Sequence, residues 1–248
     1  MKNDAHYDRP EIYDQFYGPL KTLPDWFMKE ISGKPEILEL ACGTGRLSIP
    51  LSQSPERSVT GLDISEGMLN LARKKADGQK VNVEWVQGDM RQFELNRKFD
   101  TILLLFNSIS HLHRRTDVED CLSCVKNHLR SNGVFVISAF VPAVSILNRD
   151  PEIRQNFMEY IDPDNGKTVQ VTDSYRYDPS TQISHITHYD GDSDHVIGGL
   201  NMKKYFPQEL ESLLHYNKFQ IDKIFGSWDQ DEFGEQSDHQ IIFAKKMS

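Results

Sequence analysis

Cysteine is scarce: three residues in a chain of 248, an odd number that gives no basis for a disulfide framework. Runs of basic residues are missing and the formal net charge is -9, so bulk electrostatic attraction to nucleic acid or to an anionic membrane is disfavoured. No apolar segment approaches the roughly 20 residues of a membrane span. The longest, Thr101–Phe106 and Val134–Val141, are strand-length. Met1–Arg9 is polar and has no apolar region of a signal peptide, which makes the cytoplasm the expected compartment. Repeats and low-complexity segments are absent too. Cys121-Leu122-Ser123-Cys124, with His128 four residues on, is the one arrangement that suggests a metal or redox site. No second ligand pair stands at zinc-module spacing, and the apolar positions 118, 121, 122, 125 and 129 repeat with helical period. These cysteines therefore read as small buried hydrophobes, and no metal is expected.

What is present is an alternation of strands and helices. Strands are expected at Glu36–Leu40, Ser58–Asp63, Asn82–Gln87, Phe99–Phe106 and Gly133–Phe140, and helices at Arg46–Gln53, Glu66–Ala76 and Thr116–Arg130, with Asn132-Gly133 as the helix-end signal. Such alternation implies an α/β fold with a parallel sheet and helical crossovers. Before it, residues 1–33 read as an aromatic-rich helical cap. After it, residues 142–204 read as antiparallel strands broken by turns at Asp162–Gly166, Asp178-Pro179 and Asp190-Gly191-Asp192, an insertion into the α/β domain of residues 34–141 and 205–248. A helix at Pro207–His215 and strands at Gln220–Phe225 and Gln240–Ala244 close the chain.

The first strand runs into Glu39-Leu40-Ala41-Cys42-Gly43-Thr44-Gly45. Glycine at 43 and 45 lets the backbone turn sharply and approach a ligand, the layout of a nucleotide-binding turn. With Ser48 in the third slot the match to G-x-G-x-x-G is incomplete and weak. Asp63 ends the second strand, where a carboxylate can accept ribose hydroxyls. Asp89 follows the third strand in Gln87-Gly88-Asp89-Met90, where it can accept from an adenine amine while Met90 packs on the ring. Glu39 would repel a pyrophosphate, so a ligand carrying an ammonium and a sulfonium suits this turn better than a dinucleotide.

Glu39–Gly45, Gly61-Leu62-Asp63-Ile64-Ser65, Gly88-Asp89-Met90 and the strand at 99–106 together resemble class I S-adenosylmethionine-dependent methyltransferases, in order, over about residues 35–140. The resemblance implies a Rossmann-like seven-stranded sheet whose last strand is antiparallel, with S-adenosylmethionine as cofactor. Gly88–Phe93 and Phe106-Asn107-Ser108-Ile109-Ser110-His111-Leu112 further resemble bacterial amino-sugar N-methyltransferases. That likeness implies His111 beside the transferred methyl, as a base or as a residue that positions the acceptor, and Tyr7, Tyr13 and Asn107 facing the acceptor. The cofactor contacts it implies are Ala41, Asp63, Asp89, Met90 and Leu105, and the full expected cofactor set adds Glu39, Gly43, Gly45, Ile64, Met68 and Trp26. Trp26 reads equally well as core packing, and Trp85, within the third strand, reads as core.

The expected activity is methylation of nitrogen or oxygen in a small molecule, with no nucleic-acid or membrane partner. A methyltransferase acting on RNA or protein, a nicotinamide oxidoreductase and a non-catalytic adenosyl-ligand binder stay open as alternatives. Monomer and homodimer are equally compatible with the sequence.

Overall fold

The computed structural model describes Tyr7 and residues 9–17 and 23–247. The chain divides into two compact units, one of Leu20–Val141 with Tyr205–Ser248, the other of Met1–Pro19 with Pro142–Lys204. The stretch 1–33 contributes one helix to each, and its residues 1–6, 8 and 18–22 lie outside those described.

The larger unit is a seven-stranded sheet in the order β10-β11-β5-β4-β1-β2-β3. Its strands are β1 (Glu36–Leu40), β2 (Ser58–Asp63), β3 (Glu84–Gln87), β4 (Phe99–Leu104), β5 (Leu129–Phe140), β10 (Phe219–Phe225) and β11 (His239–Lys246). Strands β1 to β5 pair in parallel, while β11 runs antiparallel to both β5 and β10. The switch point, where the strand order reverses, lies between β1 and β4.

Every residue of β4 is buried, as a parallel strand covered on both faces requires. Alternate residues feed two cores. Leu38, Leu40, Ile102, Leu104, Phe135 and Ile137 meet Val118, Cys121, Leu122 and Val125 of α5 (Arg115–His128) and Leu210 and Leu214 of α7 (Pro207–Tyr216). Ile37, Leu103, Leu105, Val134 and Val136 meet Phe27 of α2 (Asp25–Glu30) and Leu47 and Leu51 around α3 (Ser48–Leu51).

Three helices depart from expectation by more than one residue. The helix expected over Arg46–Gln53 is only Ser48–Leu51, since the chain first completes the turn through Gly45. Helix α4 (Glu66–Gln79) runs on through Gly78 and stops at left-handed Lys80. And α5 ends at His128, not at Asn132-Gly133, which sit in a bulge of β5 between Leu129, paired with Phe99, and Val134, paired with Thr101. A Cβ on Gly133 would lie 2.8 Å from Leu129 Cδ1, so this glycine answers to packing rather than to helix termination. The Cys–x–x–Cys segment belongs to α5. Cys121 is packed in the core, where burial pushes its thiol pKa up. His128 closes the helix end, with Nδ1 2.8 Å from the Cys124 carbonyl oxygen and Nε2 accepting the Leu95 N–H at 3.1 Å.

Gln240 is completely buried, and its Nε2 donates to the carbonyls of Tyr205 at 2.7 Å and Phe140 at 3.4 Å. One side chain thus ties together the point where the larger unit's chain leaves and the point where it returns.

The second unit is an antiparallel meander of β6 (Gln155–Ile161), β7 (Thr168–Asp178), β8 (Ile183–Asp190) and β9 (Val196–Lys203) with helices α1 (Pro10–Tyr17) and α6 (Val144–Leu147). The expected turns recur here: left-handed Gly166 ends the β6–β7 turn and left-handed Gly191 opens the β8–β9 turn. Ile12 and Phe16 of α1 pack on Tyr160 and Val171, and Arg149 pairs with Asp173 at 2.6 Å.

Candidate cofactor and acceptor site

The chain turns out of β1 through three left-handed residues, Ala41, Gly43 and Gly45, with φ of 55°, 55° and 75°. Asp63 at the end of β2 holds that turn. Its Oδ2 accepts the Gly43 N–H at 2.7 Å and its Oδ1 accepts the Ser65 N–H at 2.9 Å. Burial raises the Asp63 pKa, against the lowering by these backbone donors. The two glycines prove unlike. A Cβ on Gly45 would lie 2.6 Å from Trp85 Cη2 and 3.1 Å from Ile49 Cδ1, so the space beside it is filled by protein and not kept for a ligand. Trp85 likewise covers Gly61 of β2.

Glu39 is buried at the end of β1, and Ser48 Oγ donates to its Oε2. Burial pushes the Glu39 carboxyl up to about 8, so it holds a proton at neutral pH when no cation faces it. Ser48, which in the sequence only weakened a glycine motif, is the partner of that carboxyl.

Ile64 follows Asp63 and is 66% exposed, whereas Met68 and Leu105 are buried in the cores. Asp89 sits at the end of β3 in a tight turn. Its Oδ1 accepts the Arg91 N–H at 2.9 Å, and the Arg91 guanidinium reaches it through Nε at 3.0 Å and Nη2 at 2.6 Å. These bonds hold the Asp89 carboxyl below the usual carboxylate range. Arg91 also reaches Asp117, which Arg114 holds down at about 2. Arg91 was given no role from the sequence, and it occupies the carboxylate expected to take an adenine amine. Met90 is half-buried against the core beside β3.

After β4 the chain passes through two further left-handed residues, Phe106 (φ 53°) and Asn107 (φ 66°), into a 3-10 turn, Ser108–His111. Non-glycine residues in this region cost on the order of 1–3 kcal/mol and persist where the surroundings over-determine them. Here β5 does so. Ser138 Oγ accepts the Phe106 N–H at 2.9 Å and the Ser138 carbonyl accepts the Asn107 N–H at 3.0 Å. Asn107 Oδ1 accepts from Ser110 Oγ at 3.0 Å and from the Phe140 N–H at 3.3 Å. His111 ends this turn, half-buried. Replacing Asn107 by alanine is expected to lower stability by about 1–3 kcal/mol, from two lost acceptor bonds and a less tolerant left-handed residue. Asn107→Gly keeps the backbone conformation and should recover only the conformational part. Urea midpoints of both variants check this, and equal losses would mean that backbone strain contributes nothing.

Arg46 lies over the Phe106 ring at 4.6 Å, and Phe106 stacks on Trp228 at 5.5 Å. Trp26 donates its indole N–H to the Trp228 carbonyl at 2.9 Å and packs on Phe225 at 4.8 Å. Its placement is thus the core-packing one. Arg46 and Trp228 were not singled out from the sequence. Tyr7 and Tyr13 belong to the other unit, where their rings lie 5.7 Å apart and Tyr13 meets Tyr17 at 4.7 Å. The larger unit therefore collects Glu39, Ala41, Gly43, Asp63, Ile64, Asp89, Asn107 and His111 at the carboxyl ends of its parallel strands, where ligands of open α/β sheets bind.

Sheet order, turn and carboxylates together define a class I S-adenosylmethionine-dependent methyltransferase fold, and residues 37–133 match the family model described as a methyltransferase domain. Those residues form a methyltransferase domain of the S-adenosylmethionine-dependent kind. The chain is 25% identical, over 95% of its length and 94% of the relative's, to YqeM of Bacillus subtilis, whose name proposes a methyltransferase. It is 28% identical, over 52% of its length and 56% of the relative's, to a dTDP-3-amino-3,4,6-trideoxy-alpha-D-glucopyranose N,N-dimethyltransferase of Streptomyces venezuelae. In fold it matches the CcbJ methyltransferase of Streptomyces caelestis across the whole of both chains, with a TM-score of 0.82 at 19% identity. The nicotinamide and non-catalytic alternatives fall away. Among the described residues no helix is long and apolar enough to cross a membrane.

Proposed function

We propose that this methyltransferase acts on a small molecule, with an amine of amino-sugar type as the favoured acceptor. The observation that carries the reading is the strained Phe106-Asn107 corner, which β5 braces and which sets the His111 turn at the carboxyl end of β4. The likeness to the Streptomyces sugar dimethyltransferase supports the amine. The net charge of -9 does not favour an RNA acceptor.

The residues present fit the cofactor. Ile64 is a large apolar side chain left 66% exposed directly after the buried Asp63, a surface that a purine would cover. In this reading Asp63 uses its remaining lone pairs for ribose hydroxyls, while Ala41 and Gly43 offer close backbone and Glu39 faces the ammonium. Met90 and Asp89 flank the base, Asp89 by sharing its carboxylate with Arg91. Gly45, Met68, Leu105 and Trp26 support the site from within the protein. When bound, S-adenosylmethionine supplies the methyl group as an electrophilic carbon on a sulfonium. What remains for the protein is alignment and the management of one proton.

His111 supplies the second of these, by accepting a hydrogen bond from the acceptor N–H and, if the nitrogen arrives protonated, its proton. Replacing His111 by alanine is expected to lower kcat about a hundredfold or more, with S-adenosylhomocysteine affinity unchanged. Turnover on a panel of amines, amino sugars and phenols tests the acceptor class. A His111→Ala enzyme with full turnover and an unaltered pH profile would remove the base.

A further inference from the structure

We propose that His239, oriented by Asp238 and laid against Phe140, is a second histidine of the acceptor site, its Nε2 accepting a hydrogen bond from the substrate amine while Phe140 covers the adjoining apolar carbons. The proposal rests on the amine reading above. His239 is the first residue of β11 and stands opposite Phe140, the last of β5, in antiparallel register. Side chains of residues directly opposite in an antiparallel pair project from one face, and these two rings lie 4.9 Å apart. The same backbone position ties into the His111 turn, because the Phe140 N–H donates to Asn107 Oδ1. The two histidines are thus carried by groups that share one asparagine.

The backbone around His239 is held on both sides. Its N–H donates to the Gly226 carbonyl at 3.0 Å, and the Asp238 carbonyl accepts the Val141 N–H at 2.9 Å. Asp238 Oδ1 stands 2.6 Å from His239 Nδ1. A carboxylate at Nδ1 fixes the proton there and leaves Nε2 as the acceptor nitrogen. Asp238 is 75% exposed, so this pair contributes little to stability. Holding one tautomer in one orientation is what such a pair can do. Phe140, 55% exposed at the carboxyl end of β5, presents an apolar face beside the imidazole ring. A polar atom of fixed direction next to an exposed ring suits a sugar, which offers a donor on one carbon and an apolar face on the next.

The test is calorimetry of a panel of amino sugars, free and nucleotide-linked, and of their hydroxyl counterparts, on the S-adenosylhomocysteine complex. His239→Ala is expected to weaken the amine about tenfold, the loss of one hydrogen bond, and to leave S-adenosylhomocysteine affinity unchanged. His239→Gln, which restores an acceptor at similar reach, should recover most of the loss. Phe140→Ala, truncating a side chain already over half exposed, is expected to weaken the amine several-fold with the fold intact. If amines bind the wild type and all three variants equally, His239 has no such role and the amine reading stands. If the wild type binds only the hydroxyl counterparts, the amine reading fails and this proposal fails with it.

Discussion

Gly45→Val is expected to destabilise the protein by about 2–5 kcal/mol, measured as a fall in the urea midpoint, with S-adenosylhomocysteine binding lost in proportion to the folded fraction. Two costs add. At φ 75° a β-branched residue is in a conformation it strongly avoids, and its Cβ would start 2.6 Å from Trp85 Cη2. Gly33 separates them. It has φ 70° but no heavy atom within 4 Å of its missing Cβ, so Gly33→Val reports strain alone. The difference between the two variants is the Trp85 contact, and Trp85→Leu should shrink it in a double mutant. Equal losses at the two glycines would show that the tryptophan is not what keeps position 45 bare.

The second large effect is electrostatic. The Glu39 carboxyl, ordinarily ionising near 4.5, is held up to about 8 by burial. Below 4.5 it is neutral both folded and unfolded, and its contribution to stability is fully present. Between 4.5 and 8 the unfolded chain loses the proton that the folded one keeps, and that contribution drains away as pH rises. The wild type is expected to lose up to about 4 kcal/mol from this group across the interval, a slope that Glu39→Gln removes. Urea unfolding at pH 5 and pH 8 measures it, and the difference between the two proteins isolates Glu39 from other titrating groups. If Glu39 faces a cationic ligand, binding favours its ionised form, so association at pH 7 expels a proton. Calorimetry in buffers of different ionisation enthalpy would then give different apparent heats for the wild type and equal ones for Glu39→Gln. Parallel pH slopes in both proteins would place the charge elsewhere.

Much of this architecture is legible in the chain itself. A short apolar run such as Ile102–Phe106, set among helical stretches, reads as a strand covered on both faces, and turn residues at 162–166 and 190–192 mark antiparallel hairpins. The legible part of the candidate site is the part carried by local pattern: a carboxylate at a strand end, a glycine turn, and a histidine a few residues past an apolar strand that is proposed as the base. The illegible part depends on partners distant in sequence. Gly45 faces a tryptophan forty residues on, Trp26 finds its acceptor on Trp228, and the Arg91 that engages Asp89 is steadied by Asp117, 26 residues further along. The end of α5 was misplaced for a related reason. Asn-Gly is a stop signal only when nothing nearer ends the helix, and His128 bonding back onto Cys124 does so four residues earlier.

Gln240 has a consequence for how this enzyme can be altered. By bridging Phe140 and Tyr205 it staples the two cut ends that a designer would need to join. Both bonds lie within the larger unit, so the seam keeps them whatever sequence is spliced between residues 141 and 205.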